Sequence, residues 1–445
     1  MREKFPGYKG KALRVLKEAG AEIGDILRIS KETETREGML IPRSESGDDK
    51  HVVIKLKNGY NIGIQVTDDT KIEKVGTGSK PTFSAPPLPK QKPNLPKVAI
   101  LSTGGTIASR VDYRTGGVRP ALTANDLYSV VPELSNIAII DAEILFSVFS
   151  ENITPKHWSQ TAHQVAKYIK KEVAGVVVAH GTDTMGYTAA ALSFALQNLP
   201  VPIVIVGSQR SADRPSSDAA TNLIGAVKAA AEAPFAEVVV AMHETISDES
   251  IVFHRGTKVR KCHTSRRDAF KSVNAAPLAR IEGNRITLLT QSYHERDTKR
   301  TLTIKPQFEE KVAFVKFYPG IDTKVIEWYI DHGFKGIVLE GTGLGHISSH
   351  CFSAIKKAVE ENLIIGMTSQ CIWGRINMNV YDTGRDLLEM GVTPLEDVLP
   401  ETALVKMMWV LGHTSNVEKA KKLLTKNIAG EFSNRTIYEE SHRQA

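Results

Sequence analysis

Four short runs along the chain, 98–101, 176–179, 203–206 and 238–242, are apolar at every position and rich in β-branched residues. Continuous rather than alternating apolar runs of this length are the mark of strands covered on both faces. Two alanine-rich, proline-free segments, 188–197 and 219–232, lie between them and predict helices. Strand and helix signals alternate from 97 to about 289, so the pattern predicts βαβ units and a mostly parallel sheet. A second alternation follows: strand 312–317, helix 323–332, strand 336–339, helix 348–361 and strand 363–367, with a basic helix at 416–424. Between the two alternations, 290–310 is polar and reads as a connector.

The first eighty residues carry another pattern. A short helix is predicted at 11–19, then strands at 24–29, 38–43, 51–56 and 60–66 with no helix between them. Lys57-Asn58-Gly59 is a hairpin turn signal, because Asn and Gly tolerate positive φ. Several short strands in succession predict a small β-barrel. Six prolines fall between Pro81 and Pro96, and their fixed φ makes that stretch an extended spacer. The expected division is therefore a small β-barrel domain at 1–80 and a proline-rich linker at 81–96. An α/β domain at 97–290 and a connector at 291–310 lead to a smaller α/β domain with a helical tail at 311–445.

Composition narrows the picture further. The chain has 445 residues, 41% hydrophobic and 24% charged, as in an ordinary soluble globular protein. It contains no apolar run of about 18 residues that would span a membrane. Its opening, Met1-Arg2-Glu3-Lys4, runs into a charged segment without the apolar stretch of a signal peptide. The three cysteines, Cys262, Cys351 and Cys371, show no pairing pattern, so a reducing, cytoplasmic setting is expected. The net charge of +7 is spread thinly; it is compatible with an RNA partner but reads first as the surface of a basic housekeeping protein.

Two threonine-rich turns carry the chemistry. Thr103-Gly104-Gly105-Thr106-Ile107-Ala108-Ser109 follows the first apolar run, and His180-Gly181-Thr182-Asp183-Thr184 follows the second. Residues just past the carboxyl ends of parallel strands line the ligand crevice of an α/β sheet. Two hydroxyl-rich turns delivered to one crevice point to nucleophilic catalysis by threonine. The first turn lacks the Gly-Lys-Ser/Thr of a phosphate-binding loop. The second, taken alone, also reads as the capped start of a helix, with Asp183 or Thr184 as N-cap. Lys261 lies among Lys258, Arg260, Arg266 and Arg267, where a solvated basic face is the simpler reading. No metal site is expected: His243-Glu244 lacks a second histidine, and there is no Cys-x-x-Cys. Gly341-Thr342-Gly343-Leu344-Gly345-His346 is only a partial dinucleotide fingerprint.

Together with Lys258-Val259-Arg260-Lys261-Cys262-His263-Thr264, the two turns resemble the three signatures of the asparaginase and glutaminase amidohydrolase family, over roughly 97–412. The resemblance implies an asparaginase-like two-domain α/β body with an N-terminal small β-barrel domain before it. It implies Thr106 as the attacking nucleophile, with Thr182, Asp183 and Lys261 as the supporting set. Tyr113 falls where the family places a tyrosine assisting the nucleophile, and Ser150 and Glu151 fall where it grips the substrate's α-amino and α-carboxylate groups. These roles are chemically coherent. A threonine hydroxyl attacks only when a base removes its proton, and a lysine serves as base only when neutral. Backbone N–H groups of Gly104-Gly105 can approach an oxyanion with no Cβ in the way, and the β-branch of Thr106 restricts its χ1. The family often carries an asparagine that completes a neighbouring subunit's site; here His346 stands at that place.

The hundred residues before the first turn carry a second resemblance. The segments 38–43 and 55–64 are similar to the N-terminal barrel of the D-subunit family of archaeal glutamyl-tRNA(Gln) amidotransferases. That implies release of ammonia from glutamine, or also asparagine, with no cofactor on this chain. It further implies a partner, the E subunit, that activates Glu-tRNA(Gln) with ATP and Mg and accepts the ammonia. A homodimer of the chain within a heterotetramer, in the cytoplasm and away from membranes, completes the expectation. The competing expectation is a stand-alone L-asparaginase.

Overall fold

The structure is a computed structural model, and it describes residues 5, 7–31, 34–43, 48–56, 61–77, 94–105, 107, 109–112, 117–120, 127–128, 131–210 and 217–436. The N-terminal module comprises α1 (Gly10–Glu18) and strands β1 (Ile26–Lys31), β2 (Glu34–Leu40), β3 (His51–Lys55), β4 (Asn61–Gln65) and β5 (Lys71–Gly76). They form one antiparallel sheet in the order β4-β3-β2-β1-β5. Leu27, Ile29, Leu40, Val52 and Ile54 alternate inward against Leu16 of α1. This is the small β-rich module that the run of short strands predicted, its described strands hydrogen-bonded in one run from edge β4 to edge β5. The fifth strand escaped the pattern because Lys71–Gly76 is mostly polar and exposed. The expected turn at 57–59 and nearly all of the proline spacer lie outside the described residues.

The first α/β domain is built on β6 (Lys97–Ser102), β7 (Ile139–Ile144), β8 (Gly175–Ala179), β9 (Ile203–Val206), β10 (Val238–His243) and β11 (Ser250–Arg255). The hairpin of β12 (Val259–Lys261) and β13 (Phe270–Ser272) stands apart from the main sheet, and β14 (Ala279–Glu282) and β15 (Arg285–Leu288) rejoin it. The eight strands run β15-β14-β11-β10-β9-β8-β6-β7. From β10 to β7 all pairings are parallel, and from β10 to β15 all are antiparallel. The sheet is therefore mixed. Only six residues join β10 to β11, too few for the crossover of about a dozen that a parallel return needs. Successive residues of the apolar runs serve opposite faces. Val98, Ile100, Val177 and Val204 pack under α4 (Ala219–Glu232), and Ala99, Leu101, Val176 and Ile205 pack under α2 (Pro155–Lys170) and α3 (Met185–Ala195).

The second domain is a parallel sheet, β16 (Val312–Lys316), β17 (Gly336–Gly341), β18 (Ile364–Ser369) and β19 (Thr393–Pro394) in that order. Helices α5 (Lys324–Asp331), α6 (Phe352–Glu360) and α7 (Asp382–Glu389) cover one face. On the other face α8 (Pro400–Leu411) and α9 (Val417–Leu424) share a core with α3 of the first domain. That explains why α3 is apolar all round: Ala189 and Leu192 face its own sheet, while Ala190, Ala191 and Phe194 face Trp409, Val338 and Ile364. The connector is not featureless, since Thr303–Ile304 pairs with Leu196–Gln197.

Candidate active site

The two threonine turns leave adjacent parallel strands. Thr103, buried after β6, donates through both its N–H and its hydroxyl to Ala179 O, each at 3.0 Å, which ties the turn to the end of β8. Gly104 (φ +116) and Gly105 (φ +78) then bend through the left-handed region. Both must be glycine for packing as well. A Cβ on Gly104 would sit 2.2 Å from Val148 O, and one on Gly105 would sit 2.8 Å from Gly181 N. The first turn is thus wedged between the 148–150 bend and the second turn. Thr106 and Tyr113 lie outside the described residues.

The second turn is held from behind. His180 N donates to Val206 O at 2.9 Å. The His180 side chain is buried in a directed chain: Trp158 Nε1 donates to Thr188 Oγ1 (3.1 Å), Thr188 to His180 Nε2 (2.8 Å), and His180 Nδ1 to Gly181 O (2.6 Å). The chain fixes the neutral tautomer, and burial pushes the imidazole down to about 4. His180 therefore orients the Gly181-Thr182 peptide without carrying charge. The sequence places His180 at the head of the second turn but does not show this role, which depends on Trp158 and Thr188 at interior positions of α2 and α3.

Lys261 ends β12 and reaches the second turn from the hairpin. Its Nζ donates to Thr182 Oγ1 at 2.9 Å and to Asp183 Oδ1 at 2.7 Å. The hairpin comes this close because Gly186 leaves room, its missing Cβ lying 3.3 Å from Val259 O. Lys261 is largely covered, while the Asp183 carboxylate is 67% exposed, open to a ligand on its far side. An ion pair this exposed adds little stability, so its effect is to orient the two groups. Ser150 is buried beside Gly181, its Oγ 3.0 Å from where a Cβ would be, and its carbonyl accepts from Thr184 Oγ1 at 2.7 Å. Glu151 follows on the same short 3₁₀ turn and is exposed. Of the seven residues singled out from sequence, Thr182, Asp183, Lys261, Ser150 and Glu151 gather here.

A further support also escaped the sequence. The turn after β9 packs on Thr182, whose Cγ2 lies 2.8 Å from the missing Cβ of Gly207. Asp218, fully buried, accepts from the N–H groups of Gln209 (3.0 Å) and Arg210 (2.9 Å) and from Asn222 Nδ2 (3.0 Å). Asn222 Nδ2 also holds Gly207 O at 2.9 Å. His243, read above only as half of a metal motif, sits between Asn222 Oδ1 (2.6 Å) and Asp248 Oδ1 (2.9 Å). The His243 hydrogen bond, aided by the Arg267 charge, holds the Asp248 carboxyl below its ordinary range. Among the described residues no group of three or more His, Cys, Asp and Glu gathers to hold a metal ion. A 530 Å³ cleft elsewhere, lined by Leu199, Glu237, Val238 and Arg300, lies at the amino ends of β9 and β10, away from this crevice. His346 is tucked into the second domain, Nδ1 on Thr383 Oγ1 at 3.1 Å and its ring edge-on to Tyr381.

Two α/β domains with threonine turns at one crevice and a lysine reaching in from a side hairpin define an asparaginase-type amidohydrolase. The family described as Asparaginase, N-terminal, matches residues 97–294, and the Glutaminase/Asparaginase C-terminal domain matches 311–424. Among solved structures, the thermostable L-asparaginase from Thermococcus kodakarensis superposes with a TM-score of 0.69 at 31% identity, covering 76% of this chain and 99% of that one. L-asparaginase I from Vibrio cholerae superposes at 0.66 and 28% identity over the same 76% of this chain, again covering 99% of its own.

The remaining quarter distinguishes this chain from them, and a GatD N-terminal domain matches residues 21–75. The D subunit of glutamyl-tRNA(Gln) amidotransferase from Methanothermobacter thermautotrophicus is 50% identical over 430 residues, 96% of this chain and 98% of the relative. The D subunit from Pyrococcus abyssi is 51% identical over 430 residues, 95% of this chain and 98% of the relative. The chain belongs to the D-subunit family of glutamyl-tRNA(Gln) amidotransferases. Among the described residues no helix is long and apolar enough to cross a membrane.

Proposed function

We propose that this chain is the ammonia-releasing component of a tRNA-dependent amidotransferase, a glutamine-hydrolysing carbon–nitrogen ligase that converts Glu-tRNA(Gln) to Gln-tRNA(Gln). The observation that carries the reading is Lys261 Nζ, in hydrogen-bond reach of both Thr182 and Asp183 beside the Gly104-Gly105 turn. It occurs in a chain about half identical to D subunits over almost its whole length.

The Thr106 hydroxyl attacks the side-chain amide carbon of glutamine, and its proton passes through Thr182 to Lys261 once that amine has given up its own proton. The Gly104-Gly105 turn offers backbone N–H groups to the developing oxyanion. Collapse of the intermediate breaks the C–N bond, the proton goes to the leaving nitrogen, and ammonia departs. Water then hydrolyses the threonyl ester to glutamate. Asp183, Ser150 and Glu151 hold the substrate's α-ammonium and α-carboxylate, with Tyr113 assisting Thr106. The ammonia is consumed on a partner, the E subunit, which binds ATP, Mg and Glu-tRNA(Gln). The present chain binds no cofactor and works in the cytoplasm as a homodimer within a heterotetramer. The N-terminal module, absent from the stretch shared with the asparaginases, supports the amidotransferase reading over a stand-alone L-asparaginase.

Ammonia release from glutamine and from asparagine, measured with and without the E subunit and Glu-tRNA(Gln), tests this. Thr106→Ala and Lys261→Ala are expected to lose ammonia release, and glutamine hydrolysis by the wild type is expected to rise with partner and tRNA. Full turnover in Thr106→Ala refutes the nucleophile. Asparagine hydrolysis indifferent to partner and tRNA restores the asparaginase reading.

A further inference from the structure

The β12–β13 hairpin that presents Lys261 is fastened at its base to the other domain. Lys258, three residues before Lys261, is buried with Asp397, their side chains 1% and 2% exposed, Nζ to Oδ2 2.7 Å. Asp397 Oδ1 accepts from Ser433 N at 3.1 Å in the C-terminal tail. One residue earlier, Thr257 accepts at its carbonyl from Thr402 Oγ1 and donates through its hydroxyl to Ala429 O, both at 3.0 Å. Arg260 pairs with Glu401 at 3.1 Å. Two residues past the returning strand, Asn274 (φ +58) makes a two-way bond with the Gly374 backbone, donating to its carbonyl at 2.9 Å and accepting from its N–H at 2.8 Å. The same amide reaches Asp397 O at 3.1 Å, and Ser433 Oγ donates to Asn274 O at 3.1 Å.

These contacts answer a mechanical need. The hairpin is two strands of three residues each, hydrogen-bonded only to one another and held to the first domain's core through Val259 and Phe270, and a two-stranded ribbon is marginal by itself. A buried ion pair is poor evidence of stabilisation, since an apolar pair of similar volume is often as stable, whereas its geometry fixes one arrangement. Resting on the reading of Lys261 given above, we propose that Lys258 and Asn274 are positioning residues, through which the second domain and the tail at 429–433 set the Lys261 ammonium on Thr182.

The test uses the full-length chain with its partner, the E subunit, hydrolysing glutamine well below the melting temperature. Asn274→Gly removes the amide at a position whose positive φ glycine accepts, and Lys258→Met/Asp397→Asn removes both charges together. Positioning predicts a fall in kcat of about tenfold or more with KM within twofold, since Ser150 and the glycine turn are untouched. A structural role alone predicts a lower Tm with wild-type kcat, and that result in Asn274→Gly overturns the proposal whether or not the double variant folds. A raised KM at unchanged kcat overturns it as well. Lys261→Ala separates the premise: inactive Lys261→Ala beside fully active Asn274→Gly removes only the positioning role, whereas active Lys261→Ala removes the lysine reading itself.

Discussion

Replacing Gly105 by alanine isolates the close approach of the two turns. Gly105 (φ +78) and Gly320 (φ +83) have nearly the same positive φ, but a Cβ on Gly320 meets nothing within 4 Å, whereas one on Gly105 meets Gly181 N at 2.8 Å. Both substitutions incur about 1–2 kcal/mol for a left-handed alanine. Only Gly105→Ala must also open 2.8 Å to an ordinary 3.4 Å, a displacement of about 0.6 Å against backbone that cannot swing aside. Carried to Thr182, that shift stretches its 2.9 Å bond with Lys261 to the edge of hydrogen bonding. Losing a hydrogen bond to a charged group costs roughly 1.5–3 kcal/mol, or about ten- to 150-fold in kcat. The assay is ammonia release from glutamine beside thermal melts of both variants. Gly320→Ala should keep wild-type kcat with a small loss in Tm. If Gly105→Ala stays within threefold of wild-type kcat, the wedge between the turns does not position the chemistry.

The fold should also weaken on mild acidification. His180 and His254, ordinarily near 6.5, are pushed down to about 4 and about 3, by burial in each case with Lys271 adding for His254. The unfolded chain therefore takes up protons below 6.5 that the native state refuses until those lower values, and by pH 5 each group should have removed about 2 kcal/mol; an unchanged urea midpoint between pH 7 and 5 would contradict this. Glu431→Gln leaves the buried Lys406 ammonium without the carboxylate charge 2.6 Å away, and a loss of about 3–5 kcal/mol is expected in urea melts. EDTA should leave glutamine hydrolysis by the chain unchanged, and metal-dependent loss and recovery of turnover would displace the threonine mechanism.

The legible parts of the sequence were those where one local rule acts alone. Ile203–Val206 and Ala219–Glu232 appear at the bounds their composition predicts, because a wholly buried strand and an alanine-rich helix need no distant partner to be recognised. Lys71–Gly76 was illegible because its place as an edge strand comes from pairing with β1, not from apolar alternation. β11 turned the sheet mixed through a link too short to cross over, a constraint on length that composition does not carry. At the site, Thr182, Asp183 and Lys261 were found through motif resemblance, since nothing local says that residues 79 positions apart meet. The supporting roles of His180, Asp218, Asn222 and Asn274 are not legible, because they lie in buried hydrogen bonds between segments that only the fold brings together.

The shared helix α3 sets how this body can fold and be divided. Phe194 stacks on Trp409 at 6.0 Å, and Ala190 and Ala191 lie at the same seam, so neither α/β domain owns a complete core. Cutting the chain in the 291–310 connector would expose an aromatic and alanine surface on one fragment and its matching groove on the other. The stretch from Lys97 to Ser433 is on this account a single cooperative unit. The sheet at 26–76, with Leu16, Leu27 and Ile54 in a core of its own, is the piece that could be exchanged, shuffled or unfolded independently.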